Sequence, residues 1–264
     1  MDLECVPSTA WPLLDAIARG RQAATNRFAH GAKQRLAQVV AALSGSARCV
    51  ACGAPLQRLE PGFCGSCSVP SPPILREASG IWVLAGGRFE SPLREAIHRL
   101  KYSDQPEVVD GLAAWWLGRL GAALATRSAA PGVKARPKPE IPHENVKDSG
   151  CVLVPIPLHP TRLVERGYNQ SALLAAKLAP QLGAKVSHQL QRSKATRAQA
   201  ELGKAERRSN IRGAFRAVSR RKELPVVLVD DVATTGATLS AAAASLRDQG
   251  VRCLGALVLA TSGG

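Results

Sequence analysis

The chain has 264 residues, which is enough for one large domain or two modest ones with a sizeable apolar core. No stretch approaches the roughly 18 uninterrupted apolar residues of a membrane span, and the acid-containing N-terminus lacks a signal-peptide pattern, so a cytoplasmic protein is expected. The formal net charge of +15 is typical either of a protein with a polyanionic partner or of an Arg- and Ala-rich composition. An aromatic content of 4% disfavours a stacking platform for single-stranded nucleic acid.

The front of the chain divides into a helical region and a cysteine segment. Residues 1–45 form an Ala/Arg-rich N-terminal helical region, in which KQRLAQVVAALSG predicts a helix closed by Gly45. The cysteine segment covers 46–70, and the stretch SVPSPPILREASG that follows has the composition of a linker. The sequence therefore predicts that the main domain begins near residue 78.

The cysteine segment has the spacing of a metal site. Its four cysteines form two CxxC pairs separated by eleven residues, and each pair can grip one metal ion from a tight turn: Cys49, Cys52, Cys64 and Cys67. Disulfides are the alternative, which a chain without export signals disfavours. Because four thiolates fill a tetrahedral shell, we expect a structural zinc ion with no open position for catalysis.

The next part of the chain predicts strands and helices before a flexible insertion. IWVLAGGRF, residues 81–89, suggests strands around a Gly-Gly turn, and SPLREAIHRLKY has apolar residues at helical spacing. A second helix is expected over 108–125. Residues 126–150 are Pro-rich, charged and without periodicity, which indicates a flexible insertion.

From residue 151 onward the pattern alternates between strands and helices. CVLVPIP predicts a strand, followed by a helix near 169–182 and a short strand near 185–190. A polar stretch over 192–213 precedes a predicted strand pair at 214–218 and 225–230, a helix over 237–249 and the strand RCLGALVLA. This alternation predicts an α/β fold, over 78–264, with a mostly parallel sheet and flanking helices.

In the stretch LPVVLVDDVATTGAT, a predicted apolar strand is followed by two acidic residues, Asp230 and Asp231, and then by a turn of small residues. In α/β sheets, ligands gather outside the carboxyl ends of the strands, and backbone N–H groups at a helix start attract phosphate. Paired acids suit the vicinal hydroxyls of a ribose. A Walker-type magnesium strand would need a GxxxxGK[ST] loop, which the sequence lacks. The hypothesis requires acids that face a ligand and not the protein interior.

VVLVDDVATTGAT resembles the PRPP-binding signature of type I phosphoribosyltransferases. VPIPLHPTRLVERGYNQSALLA, RSKATRAQAELGKAERRSNIRGAF and SPLREAIHRLKYSDQ further resemble the competence-protein ComF family, which places a four-cysteine zinc segment before a phosphoribosyltransferase-like domain. The resemblance covers about residues 49–261. It implies a type I phosphoribosyltransferase fold and a role in competence or the use of external DNA.

The resemblance implies a set of ligand contacts. Asp230 and Asp231 would hold the ribose hydroxyls, and magnesium would be chelated by PRPP itself. The 5-phosphate would lie on the backbone of Ala233, Thr234, Thr235, Gly236, Ala237 and Thr238. Leu158 and His159 would occupy the pyrophosphate-loop position. Arg162 and Arg166, four residues apart, would either contact the anion or form a solvated basic face.

The polar stretch 192–213 would be the mobile lid of such a fold. Its cations would screen a leaving pyrophosphate and exclude water, although a nucleic-acid-binding loop would have the same composition: Arg192, Lys194, Arg197, Arg207 and Arg208. Asp230, Asp231 and Arg197 are the candidate catalytic residues. No glutaminase half is present in the sequence, and nothing in it names an acceptor.

Two functions of different classes remain open. The first is an enzyme that transfers phosphoribose from PRPP to an unidentified nucleophile. The second is a non-catalytic protein of DNA uptake that senses PRPP or a nucleotide, while its basic surface contacts single-stranded DNA or a competence helicase. The net charge agrees with the second function, and the acid pair with its loop agrees with ligand binding in both.

Overall fold

The computed structural model describes residues 10–27, 48–56, 62–102, 105–128, 151–193, 213–218 and 224–262. The predicted helix within 33–45, most of the predicted insertion and most of the predicted lid lie outside these residues.

A six-stranded sheet forms the centre of the described chain. Its strands in spatial order are β1 (Ile74–Ala78), β2 (Ile81–Arg88), β8 (Cys253–Thr261), β7 (Val226–Ala233), β3 (Val152–Pro155) and β4 (Lys185–Val186). All neighbouring pairs are parallel except β1 with β2. The prediction of a mostly parallel α/β sheet is confirmed.

Helices cover both faces of the sheet, as the buried Val/Leu runs of its strands require. The six described helices are α1 (Trp11–Arg27), α2 (Leu93–Tyr102), α3 (Val108–Ser128), α4 (Pro160–Arg166), α5 (Gln170–Leu178) and α6 (Ala237–Asp248). One core cluster joins α1, α2, α3 and α5 to one face, and a second joins α6 to the other. The predicted helices at 91–102, 108–125 and 237–249 are all present, and α3 continues to Ser128.

Helix α1 belongs to the main core. Leu13 and Ile17 are fully buried, and Leu13 lies against Gly255 of β8. Gly20 approaches the backbone of Leu182 so closely that a Cβ there would collide with the Leu182 carbonyl oxygen. The N-terminal helix therefore packs as part of the α/β layer structure.

Three local predictions were wrong. The supposed linker contains β1, whose pairing covers the edge of β2 that would otherwise leave a row of unpaired backbone groups. Gly86 and Gly87 lie inside the single strand β2, where the Trp116 indole occupies the space that a Cβ on Gly86 would need. The strand β6 (Phe215–Ala217) pairs antiparallel with β5 (Leu190–Arg192) in a second sheet, not with 225–230.

Candidate functional site

Strands β3 and β7 are adjacent and parallel, and the region between their carboxyl ends is called the crevice below. The chain leaves β3 toward β4 by way of α4 and α5, whereas it leaves β7 toward β8, on the opposite side, by way of α6. The two connections diverge and the loops after the strands separate, which is the arrangement where α/β sheets bind ligands. Residues 156–159 and 233–236 form these loops.

The loop after β7 is held from one side by β1 and its turn. Arg76 donates through Nη2 to the carbonyl oxygens of Ala233 (3.2 Å) and Thr234 (2.5 Å), and through Nε to Thr261 Oγ1 (2.7 Å). Ser79 Oγ donates to the Thr235 carbonyl oxygen at 2.8 Å. Three successive carbonyl groups are thus turned toward β1.

The orientation of these carbonyls fixes the direction of the loop N–H groups. In a trans peptide unit, the C=O of one residue and the N–H of the next point in opposite directions. The N–H groups of Thr234, Thr235 and Gly236 therefore point away from β1. Successive N–H groups that converge from a turn form an anion-binding concavity, and the start of α6 adds its partial positive charge.

Gly236 gives the loop its sharp turn. Its φ is +77°, in the left-handed region, and an added Cβ would lie 2.5 Å from the Cβ of Ala78. Only glycine satisfies both conditions, so the small residues that the sequence analysis noted in this loop have a steric reason. Thr235 Oγ1 in turn accepts from the N–H of Ala237 at 3.3 Å.

Asp231 forms an ion pair with Lys101, which lies in the last turn of α2. Burial opposes ionisation of Asp231, yet the Lys101 ammonium holds the pKa of this carboxyl below its usual value. The same pair raises the pKa of Lys101 against the opposing effect of burial. The charge of the Asp231 carboxylate is therefore neutralised by Lys101, a residue of helix α2.

Asp230 precedes Asp231 on β7. Its Oδ1 accepts from Ser171 Oγ at 2.8 Å and from the Asp231 N–H at 2.9 Å. Burial, together with the Asp231 charge, raises the pKa of Asp230 to about 8. Arg192 interacts electrostatically with Asp230 while its guanidinium carbon lies 5.5 Å from the centre of the Phe215 ring. Two adjacent acids thus differ in ionisation at neutral pH.

Both acids are covered. Asp230 and Asp231 are 8% and 5% exposed, and their oxygens contact Ser171 and Lys101. A sugar would have to take the place of part of this cover, and the ion pair with a flexible lysine is the part that a side-chain rotation can open.

The remaining candidates lie around the crevice. Leu158 and His159 follow β3, and His159 Nδ1 caps α4 by accepting from the Thr161 N–H at 3.3 Å. On α4, Arg162 pairs with Glu165 at 3.0 Å, while Arg166 donates to Gln170 and lies over the Tyr102 ring. Lys194, Arg197, Arg207 and Arg208 lie outside the described residues.

A cavity of about 330 Å³ lies elsewhere, beside α6 and the start of β8. Glu77, Trp82, Arg247 and Cys253 are among its lining residues, which include none of the predicted site residues. Its position does not bear on the crevice.

The four predicted metal ligands are brought together. Their sulfur atoms all lie within 4.8 Å of one another, and Cys52 Sγ is 3.8 Å from Cys64 Sγ. Tetrahedral coordination with metal–sulfur bonds of roughly 2.3 Å places sulfur atoms about 3.8 Å apart. The cluster therefore has the size of a site for one tetrahedral metal ion.

Two thiols of this cluster have pKa values shifted in opposite directions. Burial disfavours the Cys49 thiolate, but backbone hydrogen bonds from Cys52 and Cys64 lower its pKa to about 6. Burial and the three neighbouring cysteines raise the pKa of Cys67 to about 12. Full deprotonation of the cluster thus requires a cation at its centre.

The metal segment packs on α3 and is held by α2. Phe63 meets Trp115 edge-to-face at 5.4 Å between ring centroids, and Val50 lies where Gly111 leaves room for it. Arg99 Nη1 donates to the carbonyl oxygens of Cys49 (3.0 Å) and Val50 (3.3 Å). The prediction of a four-cysteine segment in front of the α/β domain is confirmed, and the two parts share a core.

Sequence reasoning missed four residues of the site: Arg76, Ser79, Lys101 and Ser171. Arg76 and Ser79 fell in the supposed linker, although PILREAS carries a strand-like alternation that the Pro-rich context hid. Lys101 ends an amphipathic helix, where a cation is ordinarily explained by the helix dipole. Its ion pair joins residues 130 positions apart in the chain, and no local pattern encodes such a contact.

The mostly parallel sheet, with loops that diverge after β3 and β7, belongs to an α/β protein with a phosphoribosyltransferase-like fold. A family profile for the phosphoribosyl transferase domain matches residues 169–264, which include β7, its loop and both acids. Among the helices that the structure describes, none combines the length and apolar character needed to cross a bilayer.

Relatives of known name extend the match toward the N-terminus. Competence protein F of Haemophilus influenzae is 31% identical over 210 residues, which cover 77% of this chain and 80% of that protein. The DNA utilization proteins YhgH of Salmonella typhimurium and Escherichia coli K12 are each 31% identical, over 73% of this chain and 74% of their own length. The chain belongs to the competence protein F (ComF) family, as its motifs predicted.

Proposed function

We propose that the chain binds PRPP or a related ribose phosphate in the crevice between β3 and β7. The observation that carries this proposal is the loop at 233–236, whose carbonyl groups are held by Arg76 and Ser79 so that three N–H groups point toward a common side. A phosphate ester is the ligand that such a concavity favours. The family profile supports the same ligand class.

The acids beside this loop complete the site for a pentose. Both the Asp231 carboxylate and the protonated Asp230 carboxyl group can accept hydrogen bonds, so the two residues suit the two ring hydroxyls of a ribose whose phosphate lies on the loop. Asp230 gives up its bond from Ser171, and Asp231 its bond from Lys101, to an incoming hydroxyl. A phosphate alone, or a sugar without its diol, uses only part of the site.

The chemistry proposed for the crevice is displacement at the sugar C1, with pyrophosphate as leaving group. Because Asp231 is already paired with Lys101, magnesium would enter with PRPP and would supply positive charge for the leaving group. The loop at Leu158 and His159 faces the crevice from β3 and supplies backbone contacts for that anion. Protein groups then act by positioning and electrostatics, without a covalent intermediate on the chain.

Calorimetry with PRPP and magnesium tests the proposal. The wild-type chain binds, and Asp231→Asn weakens binding because a hydroxyl acceptor loses its charge. Asp248→Asn, an exposed residue at the end of α6, removes the same charge elsewhere and leaves binding unchanged. Absence of PRPP binding by wild type in dilute salt, or equal binding by all three proteins, overturns the proposal. Release of pyrophosphate in the presence of candidate acceptors separates turnover from binding.

The names of the relatives support a proposed role in DNA uptake or use. We also propose that the chain acts in the cytoplasm. The net charge of +15 and the pairing of Tyr102, 68% exposed, with Arg166 support contact with single-stranded DNA as the second candidate function. Binding to an oligonucleotide would then weaken steeply as salt is raised. Tyr102→Ala should reduce that binding while PRPP binding persists, and salt-independent or undetectable binding would reject this second function. Copurification tests for a helicase partner.

Zinc is the metal that we propose for the four-cysteine site. Its preference for four thiolates in a tetrahedron matches the sulfur spacing, and four filled positions leave it a structural role. Metal analysis of the purified chain should give about one zinc per chain, in agreement with the usual stoichiometry of such sites. Purification with iron as the bound metal, or with none, contradicts this assignment.

A further inference from the structure

Lys101 forms an ion pair with Asp231 of β7, and the sequence analysis gave it no role. Its side chain is 20% exposed, whereas that of Asp231 is 7% exposed. Lys101 is therefore the more exposed partner of this ion pair.

The backbone that carries Lys101 is fixed on two sides. Leu93, Ala96, Ile97 and Leu100 of α2 are fully buried, and two residues before Lys101 the Arg99 side chain is bonded to the metal segment. Positions two apart in a helix project to nearly opposite sides, so α2 lies between the metal segment and the acid pair. The anchor of Lys101 is rigid while its four-carbon stem remains able to rotate.

Asp231 needs such a partner. It is buried, it adjoins a second carboxylate, and the charged or polar groups facing it are Lys101 with Tyr102 beside it on α2, Gln170 on α5 and Asp230 on its own strand. Burial opposes the charge of Asp231. Lys101 is the strongest of the groups that favour this charge, and hydrogen bonds with Asp230 and Gln170 add to its effect. Without the ammonium, Asp231 would take up a proton at higher pH and lose part of its strength as an acceptor.

We propose that Lys101 is a positioning residue of the sugar site, which holds the Asp231 carboxylate charged and aimed at the crevice and yields its place to a ribose hydroxyl when the ligand binds. This role rests on the proposed function, because it assumes that a pentose phosphate enters the crevice. Lys101 acts through Asp231 and takes no part in binding the 5-phosphate, which lies on the loop after β7.

Binding of two probes, ribose 5-phosphate and inorganic phosphate, to wild type and Lys101→Met tests this role between pH 6 and pH 9. We expect the variant to bind ribose 5-phosphate about tenfold or more weakly near pH 6, because Asp231 without the ammonium is more readily protonated and then accepts a hydroxyl hydrogen bond less strongly. The difference shrinks as the pH rises and Asp231 loses its proton. Affinity for inorganic phosphate stays unchanged.

Two further variants keep the test independent of folding. Lys101→Arg retains the charge and should restore most of the ribose 5-phosphate affinity. In an Asp231→Asn background, Lys101→Met should have little additional effect, since the two residues act as one unit. Thermal unfolding of each variant checks that the fold is intact.

The outcomes separate the two proposals. If wild type binds neither PRPP nor ribose 5-phosphate, the proposed function itself fails. If wild type binds and Lys101→Met binds equally well at every pH, or loses both probes by the same factor at every pH, then Lys101 has no positioning role and the sugar site stands without it.

Discussion

The metal segment and the sugar-phosphate crevice are both built from tight turns that gather polar groups, but they differ in what holds those groups. In the metal segment, four thiols converge and three of them oppose the ionisation of Cys67, so the ion that they bind must complete the structure. In the crevice, Arg76 braces the loop and Lys101 neutralises Asp231, so the chain supplies its own partners. The comparison indicates that one site is organised by its ligand and the other before its ligand arrives.

The strongest test of this contrast is removal of the metal. Cys64→Ser should eliminate the bound metal and lower the free energy of unfolding by more than about 3 kcal/mol, because the turns around Val50 and Phe63 lose the link that keeps them on α3. Chemical denaturation with parallel metal analysis measures both effects.

Cys253→Ser is the matched control, since Cys253 lies in β8 outside the cluster. It should retain the metal. A Cys64→Ser protein that keeps wild-type stability would show that the segment is organised by packing alone, and the contrast with the crevice would then disappear.

Much of both sites could be predicted from the sequence, because the residues that define them lie close together in the chain. The CxxC spacing fixes which sulfurs can share an ion, and VVLVDDVATTGAT joins a strand, two acids and a glycine turn within one segment. The alternation of strands and helices was equally local, and it predicted the mostly parallel sheet.

What the sequence did not provide is the set of partners. Arg76 reaches Thr261 across 185 positions, and Lys101 meets Asp231 across 130, so both contacts depend on sheet order and helix placement. The Gly86–Gly87 pair was misread for a related reason: a glycine pair in isolation favours a turn, and only the position of Trp116 shows that close packing requires it. Tertiary contacts decided these cases over local preference.

The crevice is also preorganised through Asp230, whose burial lowers the free energy of unfolding. Asp230 has its pKa raised to about 8, so the folded chain keeps a proton that the unfolded chain releases near its ordinary value of 3.8. Between these values the folded state binds more protons, and stability therefore falls as the pH rises through this window. Asp230→Asn should flatten this dependence and stabilise the chain at pH 7 by a few kcal/mol at most.

Urea unfolding at pH 5, 7 and 8.5 measures this effect, with Asp248→Asn as an exposed control that should behave like wild type. Loss of stability in Asp230→Asn at every pH would mean that the Ser171 hydrogen bond, and not the burial of charge, dominates at this position.

Gly236→Ala tests whether the loop is rigid before ligand arrives. The substitution places a side chain at a φ of +77° and against Ala78, so it should destabilise the fold by about 1–3 kcal/mol and reduce phosphate affinity as the N–H groups lose their alignment. Gly118→Ala in α3 has open space around the new Cβ and should stabilise the chain slightly. Unchanged phosphate binding in Gly236→Ala would show that the loop adjusts to its ligand.

Arg76→Met should have the smallest effect and sharpens the comparison most. The guanidinium holds two loop carbonyls and lies behind the proposed phosphate, so its loss should weaken ribose 5-phosphate binding by about tenfold through the energy of one charge-assisted hydrogen-bond pair. Arg94→Met, which breaks only an exposed pair with Glu95, is the control and should leave binding unchanged. Pyrophosphate binding at the loop after β3 should be unaffected by either variant. If Arg76→Met weakens pyrophosphate and ribose 5-phosphate equally, Arg76 contributes a general positive potential, and the loop after β7 is not specifically held by β1 for the sugar phosphate.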